Sequence, residues 1–333
     1  MKRAAALAVI MATAWATMAA WWSDLPSPAV RGSLAALMVI ASLAALFAAR
    51  RRPVALLLWL AGFGLFALWW SGIEPSNQRD WQTDVAVLPY VQMDGGTVTV
   101  RNIRDFSYRS ETDYAPRYLD KTFDLNRLES VDLIAVYWMG DAIAHVMVSF
   151  GFAGEDHLCL SIETRKEKGE SYSSLKGFFK QYEIIYVAAT ERDVIRLRTD
   201  YRVPPEDVYL YRTRLPSPDA RRLFLEYAGE MNALRERPAF YNTLTTNCTT
   251  NVVRHFRAFE DRVRYDWKIL LSGYAPQYAY ELGGLDDSMP FAELRALSLV
   301  NARARAAGDA PDFSRRIRAG LPGMGVSRPA RDQ

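Results

Sequence analysis

Ala144-His145-Val146-Met147-Val148-Ser149-Phe150-Gly151-Phe152-Ala153-Gly154-Glu155-Asp156-His157-Leu158-Cys159-Leu160-Ser161-Ile162 contains two apolar, β-rich runs around one turn signal. Ala144 to Phe152 and Leu158 to Ile162 read as strands, and Ala153-Gly154-Glu155-Asp156 as the turn of a hairpin. Further strand candidates are Thr97 to Val100, Val131 to Trp138, Tyr182 to Ala188 and Val208 to Leu215. Glu191 to Tyr201 reads as helical. Pro218 to Arg235 is amphipathic, with Ser217 as cap, Pro218 at the first position, and Leu223, Tyr227, Met231 and Leu234 on one face. Thr249 to Phe259 is the next helix, its buried side formed by Val252, Val253, Phe256 and Phe259. Residues 266 to 300 are mixed, with a turn at Gly283-Gly284. The expected class is α+β, a mostly antiparallel sheet with helices packed on it.

The start of the chain has a different composition. Ala4 to Trp22, Ser33 to Ala49 and Val54 to Ile73 are apolar runs, each near the roughly 20 residues needed to cross a bilayer. The first, after Lys2 and Arg3, also fits a cleaved signal peptide. Two more runs with hardly any linker favour three spans. Lys2, Arg3 and the triplet Arg50-Arg51-Arg52 fall on one side, so the positive-inside rule puts the N-terminus in the cytoplasm and the chain after Ile73 outside it. Trp21-Trp22 and Trp69-Trp70 fall at the outer ends, as interfacial anchors do. No span contains a charged residue within it, so the spans read as an anchor and not a transport path. Net charge is only +3 over 333 residues, which makes no case for nucleic-acid binding.

Two cysteines do not make a disulfide framework. Cys159, between Leu158 and Leu160, reads as a buried small hydrophobe. Cys248 sits in Thr245-Thr246-Asn247-Cys248-Thr249-Thr250-Asn251, a polar run that turns into an apolar-periodic segment, the pattern of a helix start. A thiol in the first helical turn has its pKa lowered by free N–H groups and the helix dipole. A buried structural cysteine is the alternative, and the polar surroundings argue against it. Asn247 reads as the helix cap and, with the Cys248 backbone N–H, as a donor to an oxyanion.

The chain has three histidines. His145 lies in a strand and is the candidate base for the thiol. His157 lies beside the hairpin turn and reads as exposed. His255 follows Cys248 by roughly 10 Å along the helix and reads as structural. The group that orients His145 comes from the second hairpin strand, which offers Ser161, Glu163 and Thr164. An even loop sets Thr164 opposite His145, and a change of one residue sets Glu163 there. Glu163 is preferred, because a carboxylate best stabilises an imidazolium; pairing of Glu163 with Arg165 or Lys166 is the alternative. Arg165, Lys166, Lys168, Arg192, Arg196 and Arg198 form either a phosphate-headgroup site or a solvated basic face. The histidine spacings give no metal signature. No Gly-rich phosphate loop or GxSxG elbow occurs, and no cofactor is expected.

Several segments together resemble a known family. They are Val100-Arg101-Asn102-Ile103-Arg104-Asp105-Phe106, Ala144-His145 with Ser149-Phe150-Gly151-Phe152, Ser161-Ile162-Glu163-Thr164-Arg165, Tyr182-Glu183-Ile184-Ile185-Tyr186, and Asn247-Cys248-Thr249-Thr250. In this order, over roughly residues 81 to 290, they resemble the Lnb N-terminal periplasmic domain family. The family is similar to permuted papain-like Cys/His enzymes and includes a lipoprotein N-acyltransferase. The resemblance implies a thiolate that takes an acyl chain from a phospholipid as a thioester and passes it to a lipoprotein's N-terminal amine. It carries the family's His and Cys onto His145 and Cys248. Those acyltransferases have a membrane-embedded C-terminal part, whereas this chain has three spans ahead of the domain. The thiol chemistry therefore carries over better than the lipoprotein acceptor.

The expected organisation is a three-helix anchor over 1–73, a Cys/His domain over 74–301 in the periplasm of a bacterial inner membrane, and a basic, poorly ordered tail over 302–333. The expected function is a cysteine acyltransferase acting on membrane phospholipid and lipoprotein, with Cys248 as nucleophile, His145 as base, Glu163 or Ser161 as orienter and Asn247 as oxyanion donor. The competing readings are a cysteine peptidase or amidase and a non-catalytic binding module.

Overall fold

The computed structural model describes residues 3–47, 52–258, 260 and 262–324. The chain forms two compact units. One comprises the chain up to Arg79 with Glu170–Glu183 and Ala239–Thr243; the other holds Asp80–Gly169, Ile184–Pro238 and the chain from Leu244 onward.

The first unit is built on α1 (Arg3–Trp21), α2 (Pro28–Phe47) and α3 (Arg52–Ser71), each long and apolar enough to cross a membrane. Within such a bundle, packing and interhelical hydrogen bonds replace the hydrophobic drive. Both are present. Ala16, Ala19, Ala20 and Ala45 are wholly buried, so small residues let the helices approach. Thr13 of α1 bonds Ser42 of α2, which also accepts from Trp59 Nε1 of α3 at 2.7 Å. Lys2, Arg50 and Arg51, on which the orientation argument leans, lie outside the described residues.

The second unit is the α+β domain. Its strands are β1 (Tyr90–Asp94), β2 (Thr97–Arg104), β3 (Ser107–Tyr108), β4 (Tyr114–Ala115), β5 (Tyr118–Asp124), β6 (Leu128–Tyr137), β7 (Ala144–Phe152), β8 (Asp156–Arg165), β9 (Glu183–Ala189) and β10 (Asp207–Arg212). The main sheet runs β1-β2-β9-β8-β7-β6-β10, with β5 also on β2; β3 and β4 pair separately. The ladders β1–β2, β2–β5, β3–β4, β6–β7, β7–β8 and β6–β10 are antiparallel, and β2 meets β9 in a single parallel pair, Arg104 with Ala189.

The helices are α4 (Glu191–Arg196), α5 (Ser217–Glu236), α6 (Cys248–Arg257), α7 (Trp267–Leu270), α8 (Ala275–Glu281), α9 (Phe291–Leu297), α10 (Asn301–Ala307) and α11 (Phe313–Arg318). Side chains alternate across a strand, and β7 divides accordingly. Phe150 meets Phe224 and Tyr227 of α5. Met147 instead joins a core with Cys159, Val194, Ala304, Phe313 and Ile317, from β8, α4, α10 and α11.

That second core corrects the expectation of a poorly ordered tail. Residues 301 to 324 complete the domain, and only 325–333 lie outside the described residues. Arg318 is buried and bonds both Asp132 and Glu191, carboxylates with no exposed side-chain surface. The arginine-rich composition hid this, because the acids that neutralise Arg318 are supplied by β6 and α4. The expected basic face also breaks up. Arg165 is buried, donates to the Val85 and Ala86 carbonyls and lies over the Trp81 ring. Arg192 pairs with Asp105, and Arg196 with Asp200. At the start of α5, Pro216 and not Ser217 is the cap residue.

Candidate active site

The hairpin loop is Ala153-Gly154-Glu155, with Gly154 at φ +89° and Glu155 at φ +68°. This odd loop pairs Phe152 with Asp156 and Met147 with Ser161. Carried two residues further, the register sets Glu163, and not Thr164, opposite His145. A positive φ at a glutamate cannot be read from composition, which is why the register stayed open in the sequence.

His145 Nε2 lies 2.7 Å from Ser161 Oγ and 3.1 Å from Glu163 Oε1. Ser161 donates to the same Glu163 oxygen at 2.6 Å. Arg198 Nη2 adds a third contact to it, at 3.0 Å. Glu163 therefore pairs with Arg198 and His145 and not with Arg165. Arg198 lies on a π-helical turn, Leu197–Tyr201, continuing from α4. Such turns are frequent at functional sites. Its head is held by the Val194 carbonyl at 2.8 Å. In the sequence it looked like part of a surface patch, and no local pattern marked it as a partner of Glu163.

Cys248 is the first residue of α6, and its side chain is partly accessible. The cap is Asn247, whose Oδ1 accepts from Thr250 N at 2.8 Å while Thr250 Oγ1 accepts from Asn247 N at 2.9 Å. This reciprocal box explains the Asn-Cys-Thr-Thr sequence as a helix start. The thiol lies close enough to His145 and the Val146 backbone for both to lower its pKa, and is 3.7 Å from Thr249 Oγ1. Because Nε2 of His145 faces Ser161 and Glu163, Nδ1 is the nitrogen left for the sulfur.

The charges reinforce one another. Burial pulls His145 down, but Glu163 and Cys248 outweigh it and hold its pKa at about 9. Burial pushes the Cys248 thiol up, yet the bond from His145 and its charge bring it below the ordinary thiol value. Burial likewise opposes ionisation of Glu163, and His145 and Arg198 keep it well below the usual carboxylate range. The arrangement favours a thiolate beside an imidazolium, with the carboxylate behind it.

The other histidines stand apart. His157 pairs across the hairpin with Gly151, six positions along β7 from His145 and so about 20 Å away. It is half-buried, with Nδ1 3.0 Å from the Glu155 carbonyl. His255 bonds Tyr186 at 2.7 Å and lies against Tyr227, and burial takes its pKa down to about 3. Cys159 has no exposed surface, and burial pushes its thiol up. Among the described residues, no group of three or more His, Cys, Asp and Glu could hold a metal ion.

Two features of the site gave no sequence signal. The first is a clamp on the start of β7. Gly273 N donates to the Ala142 carbonyl at 3.0 Å, Ala144 N donates to Ser272 Oγ at 3.0 Å, and Tyr137 donates to the Gly273 carbonyl at 2.6 Å. A Cβ on Gly273 would fall 2.0 Å from the Asp141 carbonyl oxygen. The second is a groove of about 450 Å³, walled largely by apolar side chains including Leu133, Val252, Phe256, Val263 and Leu282. Val146 and Thr249, the chain neighbours of His145 and Cys248, belong to its wall.

The family model of the Lnb N-terminal periplasmic domain matches residues 114–273. This segment is an Lnb N-terminal periplasmic domain. The match runs from β4 to the clamp glycine and takes in His145, Ser161, Glu163, Arg198 and Cys248. No curated protein and no solved structure matches the chain. With three apolar helices ahead of it, the Lnb N-terminal periplasmic domain belongs to a membrane-anchored, periplasmic protein.

Proposed function

We propose that this protein is a cysteine acyltransferase of the bacterial inner membrane, N-terminus in the cytoplasm, acting on lipid or lipoprotein. The observation that carries the reading is the Cys248 thiol, at a helix N-terminus and lowered in pKa by His145, which is itself backed by Ser161 and Glu163. The thiolate attacks the ester carbonyl of a phospholipid. His145 gives its proton to the departing lysolipid oxygen, leaving an acyl thioester on Cys248. An amine then attacks the thioester, His145 takes its proton, and the thiolate leaves. Glu163 holds His145 in position and stabilises its charged form, with Ser161 bridging the two. The Cys248 backbone N–H, at the first helical position, is the oxyanion donor we assign. The Asn247 Oδ1 is engaged in the cap, so a part for Asn247 in the oxyanion hole rests on its Nδ2.

The apolar groove, whose wall reaches Val146 and Thr249 next in the chain to His145 and Cys248, supports an acyl chain over a peptide, since burying a methylene is worth roughly 0.8 kcal/mol. The anchor supports a lipid substrate by raising its effective concentration. The test is intact mass of the detergent-purified protein after incubation with phospholipid. A hydroxylamine-labile gain of one acyl mass, absent in Cys248→Ala, is the expected result. No adduct, with Cys248 still alkylated rapidly at mildly acid pH, would overturn acyl transfer and leave a peptide-cleaving thiol.

A further inference from the structure

Glu170–Glu183 lies between β8 and β9 in sequence but belongs to the same compact unit as the membrane helices. Phe179 is buried in a cluster with Ala16, Ala19, Ala20, Ala35, Met38, Phe66 and Trp70 of the three spans, and its ring centroid is 5.0 Å from that of Trp22. Lys180 is fixed just as firmly. Its Nζ donates to the carbonyls of Trp70 and Ile73, both at 2.9 Å, at the outer end of α3. It also lies over the rings of Trp70 and Phe240. Lys180 has φ +54°, a strained conformation for a lysine that persists only where its surroundings impose it.

Phe179 and Lys180 thus set the height of this segment at the tryptophan ends of the spans. Beside them, Tyr172, Leu175 and Phe178 remain 46%, 48% and 37% exposed. Exposed apolar and aromatic side chains at that level, next to a fixed cation, have the composition of an interfacial belt. In an anchor whose helices cross a bilayer, chain at the ends of the spans falls at the headgroup level.

We propose that Glu170–Phe179 is a second membrane contact, a loop whose Tyr172, Leu175 and Phe178 insert into the headgroup–acyl boundary of the outer face of the bilayer. The anchor then has a rim of chain with one 3-10 turn, Lys176–Phe178, seated in the interface. This inference does not rest on the thiol chemistry.

The experiment uses the full chain carrying Cys248→Ser, which leaves only the wholly buried Cys159 as a native thiol, in phospholipid nanodiscs. An environment-sensitive NBD fluorophore is attached at Leu175→Cys and, separately, at Phe178→Cys. Lipids with a nitroxide at a shallow acyl position serve as quenchers. The expected result at both positions is blue-shifted emission and loss of most of the fluorescence with nitroxide lipid. Emission characteristic of water, without quenching, would overturn the proposal. Blue-shifted emission without lipid quenching would also overturn it, by showing that protein and not lipid covers the loop. Neither readout depends on the acyl-adduct test, so the two readings fail separately.

Discussion

Arg198 and His145 share one atom: both meet Glu163 Oε1, at 3.0 Å and 3.1 Å. The guanidinium is nearly inaccessible, so its charge acts on Glu163 with little screening. Removing it raises the Glu163 pKa. The carboxylate is then protonated at a higher pH, and below that point His145 loses the partner that keeps it charged. Arg198→Gln is expected to shift the acid limb of Cys248 alkylation to higher pH, with Arg198→Lys restoring part of the shift. An unchanged iodoacetamide pH profile in Arg198→Gln would exclude this positioning role.

The thiol–imidazole pair makes its own prediction. With the thiol lowered and His145 held at about 9, the ion pair persists from below the ordinary thiol pKa up to that value. Alkylation therefore sets in at a lower pH than for an ordinary thiol. His145→Ala removes the largest favourable influence and returns the thiol towards an ordinary pKa of about 8.5, costing roughly tenfold or more in rate near pH 6. Stopped alkylation assays from pH 5 to 9 check this.

At Gly273 a methyl group has no room, because the obstacle is the Asp141 backbone and not a flexible side chain. Gly273→Ala is expected to displace the start of β7 and weaken the His145–Cys248 contact. The measurement is alkylation rate beside the far-ultraviolet circular dichroism. Reactivity should fall several-fold while the secondary structure is retained, whereas unchanged reactivity would mean that the clamp does not position His145.

Arg318 stands between two buried carboxylates, and its removal takes the cation from Glu191 and leaves Asp132 with Arg212 alone. Arg318→Met is expected to cost about 3–5 kcal/mol in urea denaturation of the domain. Burial opposes the charge on Glu191, but Arg318 and His157 hold its pKa down to about 2. A carboxyl with a depressed folded pKa contributes stability above its unfolded value of about 4.5, and that contribution is lost as pH falls towards 2. The native domain should therefore lose stability over this window, and Arg318→Met should lose less across it.

Legibility followed how local each determinant is. The Asn247 cap and the Cys248 helix start are set by neighbours three residues apart, so the sequence displays them. The hairpin was visible, but its register turned on the conformation of Glu155, which no side-chain pattern reports. Arg198 reaches Glu163 from a separate element over a sequence separation of 35 residues, and its charge alone suggested solvent. The clamp at Ser272-Gly273 and the groove wall near Leu282 arise from short helices in the 266–300 stretch, where periodicity is too brief to read.

The place of Arg318 in the chain also bears on when the domain can exist. Synthesis runs from the N-terminus, so β6 and α4 emerge carrying Asp132 and Glu191 well before their shared cation does. Until residue 318 is available Asp132 has Arg212 alone and Glu191 only the Ser149 hydroxyl, which works against early closure. A chain stopped before residue 318 is therefore expected to close this sheet less stably and to hold the thiol centre less well ordered.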